Sequence, residues 1–213
     1  NDPFLVKYSR FLQNAVQGDL GTSYFFKRPA LEVILDKLVA TLELVFAAAL
    51  IIVVVSIPLG VYSAIRPRSF LTKLIMAVSS IGISIPVFLT AIMLMYLFSI
   101  QLGWLPAYGR GETYNLLGWE SGFFTWDGIK HLILPAVSLS SIMLPLFIRL
   151  VRSEMLEQLS SEYVKFARAK GLDNNKVYYQ HALKNTMLPV ITVGGVQIGT
   201  MVAYTILTES VFQ

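Results

Sequence analysis

The sequence predicts an all-α bundle of membrane-spanning helices, and three observations predict it. Charged residues occupy only 14% of the 213 positions and hydrophobic ones 55%, where soluble domains carry about 25% charge. The charges are clumped, so long stretches have none. Four apolar stretches are long enough to cross the bilayer, which takes about 20 residues for roughly 30 Å of hydrocarbon. The same composition excludes several function classes. Seventeen basic and 13 acidic side chains leave +4, too small a surplus for a nucleic-acid binder. With no cysteine there is no disulfide framework, zinc-thiolate site or thiol nucleophile. His131 and His181 lie too far apart in the chain for a metal-site spacing.

Taken in order, residues 1–40 read as an extracytoplasmic segment. Gly18, Asp19 and Gly21 mark a turn, and Pro29 suits the first residue of a helix. Leu31, Ile34, Leu35 and Leu38 then recur at helical spacing, with Glu32, Asp36 and Lys37 on the other side. That pattern fits a helix lying on the outer membrane surface, or a cap packed on the spans.

The membrane-spanning body follows at 41–208, with spans expected at 41–65, 74–100, 131–148 and 188–208. Glu43 is the one charge in the first span. The second carries Pro86 and the third Pro135 and Pro145, and Pro86 and Pro145 should kink their helices, with Ser84 and nearby small polar residues taking up freed carbonyls. The fourth contains Gly194, Gly195 and Gly199. Lysines and arginines orient the bundle. Arg66, Arg68 and Lys73 between the first two spans face no acid. The 149–187 region holds seven basic residues against four acidic ones. Both loops are therefore cytoplasmic. The loop between Gln101 and Lys130, with Trp104, Tyr108, Tyr114, Trp119 and Trp126, belongs at the outer headgroup boundary, as do the last residues, 209–213.

The strongest signal lies in the cytoplasmic loop at 150–187. Ser160 or Ser161 can cap a helix with Glu162 in its first turn. Tyr163, Phe166 and Ala167 share a face, and Lys165, Arg168 and Lys170 carry positive charge toward the C-terminus. Gly171 is placed to end that helix in the left-handed conformation, followed by apolar Leu172. Asp173 can cap a second helix through Val177, Tyr178, His181 and Ala182, and Pro189 starts the fourth span. A helix, glycine turn and helix anchored at both ends suits transmission of motion to a soluble partner; a solvated hairpin without a partner is the plainer reading.

The run Glu162-Tyr163-Val164-Lys165-Phe166-Ala167-Arg168-Ala169-Lys170-Gly171-Leu172, with His181-Ala182-Leu183-Lys184-Asn185 and Leu188-Pro189 after it, resembles the signature loop of ABC importer permeases. Gly18-Asp19-Leu20-Gly21-Thr22-Ser23, Ser84-Ile85-Pro86-Val87-Phe88, Leu102-Gly103-Trp104-Leu105-Pro106 and His131-Leu132-Ile133-Leu134-Pro135 agree with the dipeptide, oligopeptide and nickel branch. Lys165 and Phe166 stand where the family-wide loop has Glu-Ala, and the closing Leu-Pro lies farther from Gly171 than in sugar importers. Both departures narrow the branch. The resemblance implies six spans, so a fragment is expected, lacking one span before Asn1 and one after Gln213.

What else it implies is a multi-pass subunit of the bacterial inner membrane that imports di- or oligopeptides. Its partners would be a second homologous permease, two cytoplasmic ATPase subunits and an extracytoplasmic substrate-binding protein. ATP and Mg would sit on the ATPases. By the resemblance, Ala167, Ala169, Lys170, Gly171, Leu172 and Asp173 make the coupling contact. The chain has no Gly-x-x-x-x-Gly-Lys-Ser/Thr run of its own, so it is not expected to be an enzyme, to hold a cofactor or metal, or to bind nucleic acid. Gly109-Arg110-Gly111 reads as a plain turn.

Ser84, Pro86, Gly195, Gln197, Gly199 and Thr200 are candidates for the pathway or for helix packing. Gly195 and Gly199, four apart, would let a second helix approach, and Tyr204 could bond across helices. Ser79, Ser80, Ser138, Ser140 and Ser141 fit either role. An ion-coupled secondary transporter is the rival mechanism. It ordinarily needs an ionisable group near the bilayer centre, whereas Glu43 and Glu209 fall at the outer ends of spans.

Overall fold

The computed structural model describes residues 3–116 and 119–212. Asn1, Asp2 and Gln213, the chain ends of the expected outer segments, lie outside the described residues. A short amphipathic helix, α1 (Phe4–Val16), precedes the bundle. The membrane body starts with α2 (Ala30–Ile65). Pro29 is its N-cap rather than its first residue, and the helix runs unbroken into the first span. The separate surface helix expected at Leu31–Leu38 is thus the first turns of one 36-residue rod, about 54 Å long at 1.5 Å per residue. Nothing in that run breaks helical hydrogen bonding, so the chain has no cause to bend at Thr41.

The turn after α2 is closed by local polar bonds. Ser69 caps α3 (Phe70–Ser84) by accepting from the Thr72 N–H at 3.0 Å, and the Thr72 hydroxyl donates to the Arg66 carbonyl at 2.8 Å. The expected kink in the second span is instead a break. At Ile85-Pro86 the axis turns by 108° into α4 (Val87–Leu94), which continues in wider π turns over Met95–Gln101. Proline disfavours helical geometry at its predecessor, and here Ile85 is extended. Among the described residues Ser84 takes up none of the freed carbonyls, and the residue is exposed.

α5 (Trp126–Ser160) is one 35-residue helix that passes through both Pro135 and Pro145. It is the axis of the fold. Leu44, Val45, Ala48, Ile52, Val61 and Ala64 of α2 pack on Ala136, Leu139, Met143, Phe147, Val151 and Met155 of α5. The two helices approach closely at Gly60, where an added Cβ would lie 2.6 Å from the Val151 Cβ. After α5 come α6 (Glu162–Ala169), a π-helical segment over Lys176–Ala182, and α7 (Leu183–Phe212). The last two form one apolar span, Lys176–Phe212, with Pro189 inside it rather than at its start. Among the described residues, three helices are long and apolar enough to cross a membrane, or four if the bent pair counts as one span.

The outer loop contains an element the all-α reading missed. Strands β1 (Tyr114–Leu116) and β2 (Trp119–Ser121) pair antiparallel, Tyr114 opposite Ser121.

Candidate functional site

The inner hairpin is built by local bonds and a small core of its own. α5 ends at Ser160, and Ser161 occupies the N-cap position of α6. Neither serine caps with its side chain: the hydroxyls donate backward to the Glu157 and Gln158 carbonyls. Charge at the start of α6 is balanced locally, Lys165 Nζ lying 2.7 Å from Glu162. The far end is a double-bonded glycine cap. Gly171 takes φ +77°, its N–H donates to the Arg168 carbonyl at 2.9 Å, and the Leu172 N–H reaches the Ala167 carbonyl at 3.3 Å. These are the two bonds of a Schellman motif, with apolar Leu172 folding back on the helix. Asp173 then starts the second arm, its carboxylate accepting from the Asn175 N–H at 3.0 Å.

Val164, Ala167 and Val177 are buried between the two arms. This places the expected coupling residues in two groups. Ala167 faces inward at 6% exposure, so it shapes the hairpin and offers no surface. Ala169, Lys170, Gly171 and Asp173 are exposed at the turn, with Leu172 half-buried beside them. Tyr163 and Phe166 do not share the Ala167 side as expected; both are exposed. Lys170 Nζ stands 4.6 Å from the Phe166 ring centroid, which fixes an exposed cation against an exposed aromatic face. Val164 was missed, although its spacing of three from Ala167 is the signal that would have found it.

The membrane candidates separate as clearly. Ser79, Ser138 and Ser140 are buried. Ser138 donates to the Val87 carbonyl of α4 at 3.4 Å, and Ser140 and Ser141 bond within their own helix. Of these, the Ser138 hydroxyl ties α5 to α4. Ser80, Ser84 and Pro86 are exposed. On α7 the glycine that packs is Gly194, against Phe147; the sites above Gly195 and Gly199 have nothing within 4 Å. Gln197 is half-buried and Thr200 and Tyr204 exposed. No helix of this chain, among the described residues, uses the expected four-residue stripe.

At the opposite end, Glu43 of α2 accepts from the Gly122 N–H and lies 3.4 Å from Arg110 Nη2. The Thr41 hydroxyl donates to Glu209 at 2.8 Å, and the Gly109 N–H to the Phe212 carbonyl at 2.9 Å. Gly109 and Gly111 have φ of +92° and +70°, as a turn between them requires. Together these bonds rim an outer cavity of about 1160 Å³ bounded by α2, the outer loop and the end of α7.

The long apolar helices and the capped hairpin between two of them make this a multi-pass membrane protein, and comparison with known proteins gives its class. Residues 56–213 match the binding-protein-dependent transport system inner membrane component family, and the chain belongs to it. It is 37% identical to the dipeptide transport system permease protein DppB of Alkalihalophilus pseudofirmus, across all of this chain and 67% of that protein. It is 40% identical to the oligopeptide transport system permease protein AppB of Bacillus subtilis, across all of this chain and 66% of that one. The Escherichia coli dipeptide transport system permease protein DppB is 36% identical, over 99% of this chain and 66% of its own length. The chain thus spans about two thirds of these relatives. Its family is one of inner-membrane components, and its long apolar helices are of the multi-pass kind.

Proposed function

We propose that the chain is the membrane-spanning permease of an ATP-driven, binding-protein-dependent importer of di- or oligopeptides. It works beside a second homologous permease, two cytoplasmic ATPases that hold ATP and Mg, and an extracytoplasmic binding protein. The observation that carries the reading is the family match over 56–213, which contains the whole hairpin. Relatives named for dipeptide and oligopeptide transport support the solute class. An ion-coupled transporter is not favoured by these relatives, and Glu43 and Glu209 are engaged at the outer end rather than at mid-membrane.

The geometry supports a coupling role for the hairpin. Its first arm is fixed to α5 at Ser161 and its second continues without a break into α7. A force applied at Ala169–Asp173 therefore acts on two spans at once. Nucleotide can bias the bundle only through contacts that differ between its states, and this exposed turn is where such contacts fit. The test is purification of the full-length chain with its partners, followed by reconstitution. Peptide-stimulated ATP hydrolysis and ATP-dependent peptide uptake are expected. Uptake driven by a proton or sodium gradient, with no ATPase bound, overturns the proposal.

A further inference from the structure

α3 presents three faces to three surroundings. Thr72, Ile75 and Ser79 are buried against the bundle. Leu71, Leu74, Val78 and Ile81 are exposed and wholly apolar, as a lipid-facing stripe must be. Lys73, Ala77, Ser80 and Ser84 are also exposed, but small or polar. At 3.6 residues per turn these four lie in one row, roughly a third of a turn from the apolar stripe. The row begins with a cation at the inner end of α3 and stops at the 108° break.

Arg149 of α5 reaches this row: its Nη2 donates to the Ser80 hydroxyl at 2.8 Å. Its height follows from packing. Gly60 of α2 lies against Ile148 and Val151, and Gly82 of α3 against Pro145. Arg149 thus sits about a turn and a half inside the inner end of α2, and Ser80 lies about 15 Å along α3 from its start. The guanidinium points into the membrane instead of snorkelling out. No acid pairs with Arg149 or with Arg152 one turn on, and the Nε atoms of both are buried without a partner among the described residues. A bare arginine at this depth facing lipid is costly. The side it faces must be wet, and must tolerate or want negative charge.

We infer that Arg149, with Ser80 and Ser84, forms an anion station on the inner half of the transport path that takes the terminal carboxylate of the passing peptide. A guanidinium offers a planar fork matched to a carboxylate, and adjacent hydroxyls can satisfy its remaining lone pairs. Arg152 adds positive field behind it. The occupant rests on the peptide-import reading above; the electrostatics of the row do not.

The test exploits the absence of cysteine from the chain. Ser84→Cys is placed in the full complex in phosphatidylcholine vesicles, and modification by anionic and cationic methanethiosulfonates is read as a mass shift on the proteolytic peptide that carries residue 84. With Arg149 present the anionic reagent is favoured, and Arg149→Gln lowers the anionic-to-cationic rate ratio about tenfold, as expected for a unit charge in a partly wet site. Arg149→Lys retains the preference. Alanine dipeptide slows modification and its C-terminal amide does not. Failure of Ser84→Cys to react in any nucleotide state, a ratio unmoved by Arg149→Gln, or equal protection by acid and amide overturns the inference. So does protection by added phosphatidylglycerol without the dipeptide, which assigns the anion to lipid. Dipeptide-stimulated ATPase in the same vesicles reports separately on the peptide-import reading.

Discussion

The two ends of this bundle are fastened by different means. The inner hairpin holds itself through backbone bonds between residues three to five apart, a glycine cap and three buried side chains. The outer loop is held from outside, by Glu43 of α2, the Phe212 carbonyl of α7 and the Thr125–Asp127 corner at the start of α5, which bonds both the N–H and the carbonyl of Glu112. A self-contained unit can move as one piece when a neighbour pushes it. A loop tied to three helices moves only when those helices do. The difference teaches that input and response need different construction within one chain.

The largest expected effect comes from breaking the inner cap. Gly171→Pro removes the N–H given to Arg168 and forces φ from +77° to about −65°. Peptide uptake by the reconstituted complex should fall at least about tenfold while ATP hydrolysis persists; equal loss of both would show that the hairpin does more than couple. Next is the seam that joins the two ends. Gly60→Ala presses a methyl into Val151 and should cost about 1–3 kcal/mol, read as a lower Tm in detergent. The double variant Gly60→Ala/Val151→Ala should recover only a small part of it, because the Val151 Cβ, 2.6 Å from the new methyl, remains in alanine and only Cγ1 is removed.

Glu43→Ala attacks the outer fastening alone. Losing a charged acceptor shared by Gly122 and Arg110 should weaken the loop by about 1.5 kcal/mol. Amide exchange at 109–116 and 121–125 should then rise about tenfold, with protection at 162–169 unchanged. If the hairpin loosens as well, the ends are not independent. Smallest is Lys170→Met, which deletes the cation over Phe166 and should lower hairpin stability by under about 1 kcal/mol. Exchange at Leu172 would register it.

What the sequence disclosed follows the same division. The hairpin was legible down to the left-handed Gly171 and the Leu172 behind it, because its bonds are local and each residue type has one physical use there. The apolar spans were legible because bilayer thickness sets their length. The outer β ribbon, the Glu43 clasp and the Gly109–Phe212 bond were not, since each joins residues far apart in the chain with no periodic trace. Pro86 announced a disturbance but not its size: one proline is compatible with a kink or a 108° turn, and the packing of α4 on α5 and α7 decides between them. Pro189 was over-read, because the π turns over 176–182 carry helix up to it and the second arm never stops. Ser79 and Ser80, adjacent and chemically identical, divided between core and surface only once α3 had been packed.

That uninterrupted arm has a simple mechanical consequence. A 37-residue helix is a stiff rod of about 55 Å. Tilting it by about 5° around its midpoint sweeps each tip through roughly 2 Å, in opposite directions, on the same rise per residue. A nudge of side-chain dimensions at the hairpin tip thus reappears, reversed, beside Phe212 and the mouth of the outer cavity.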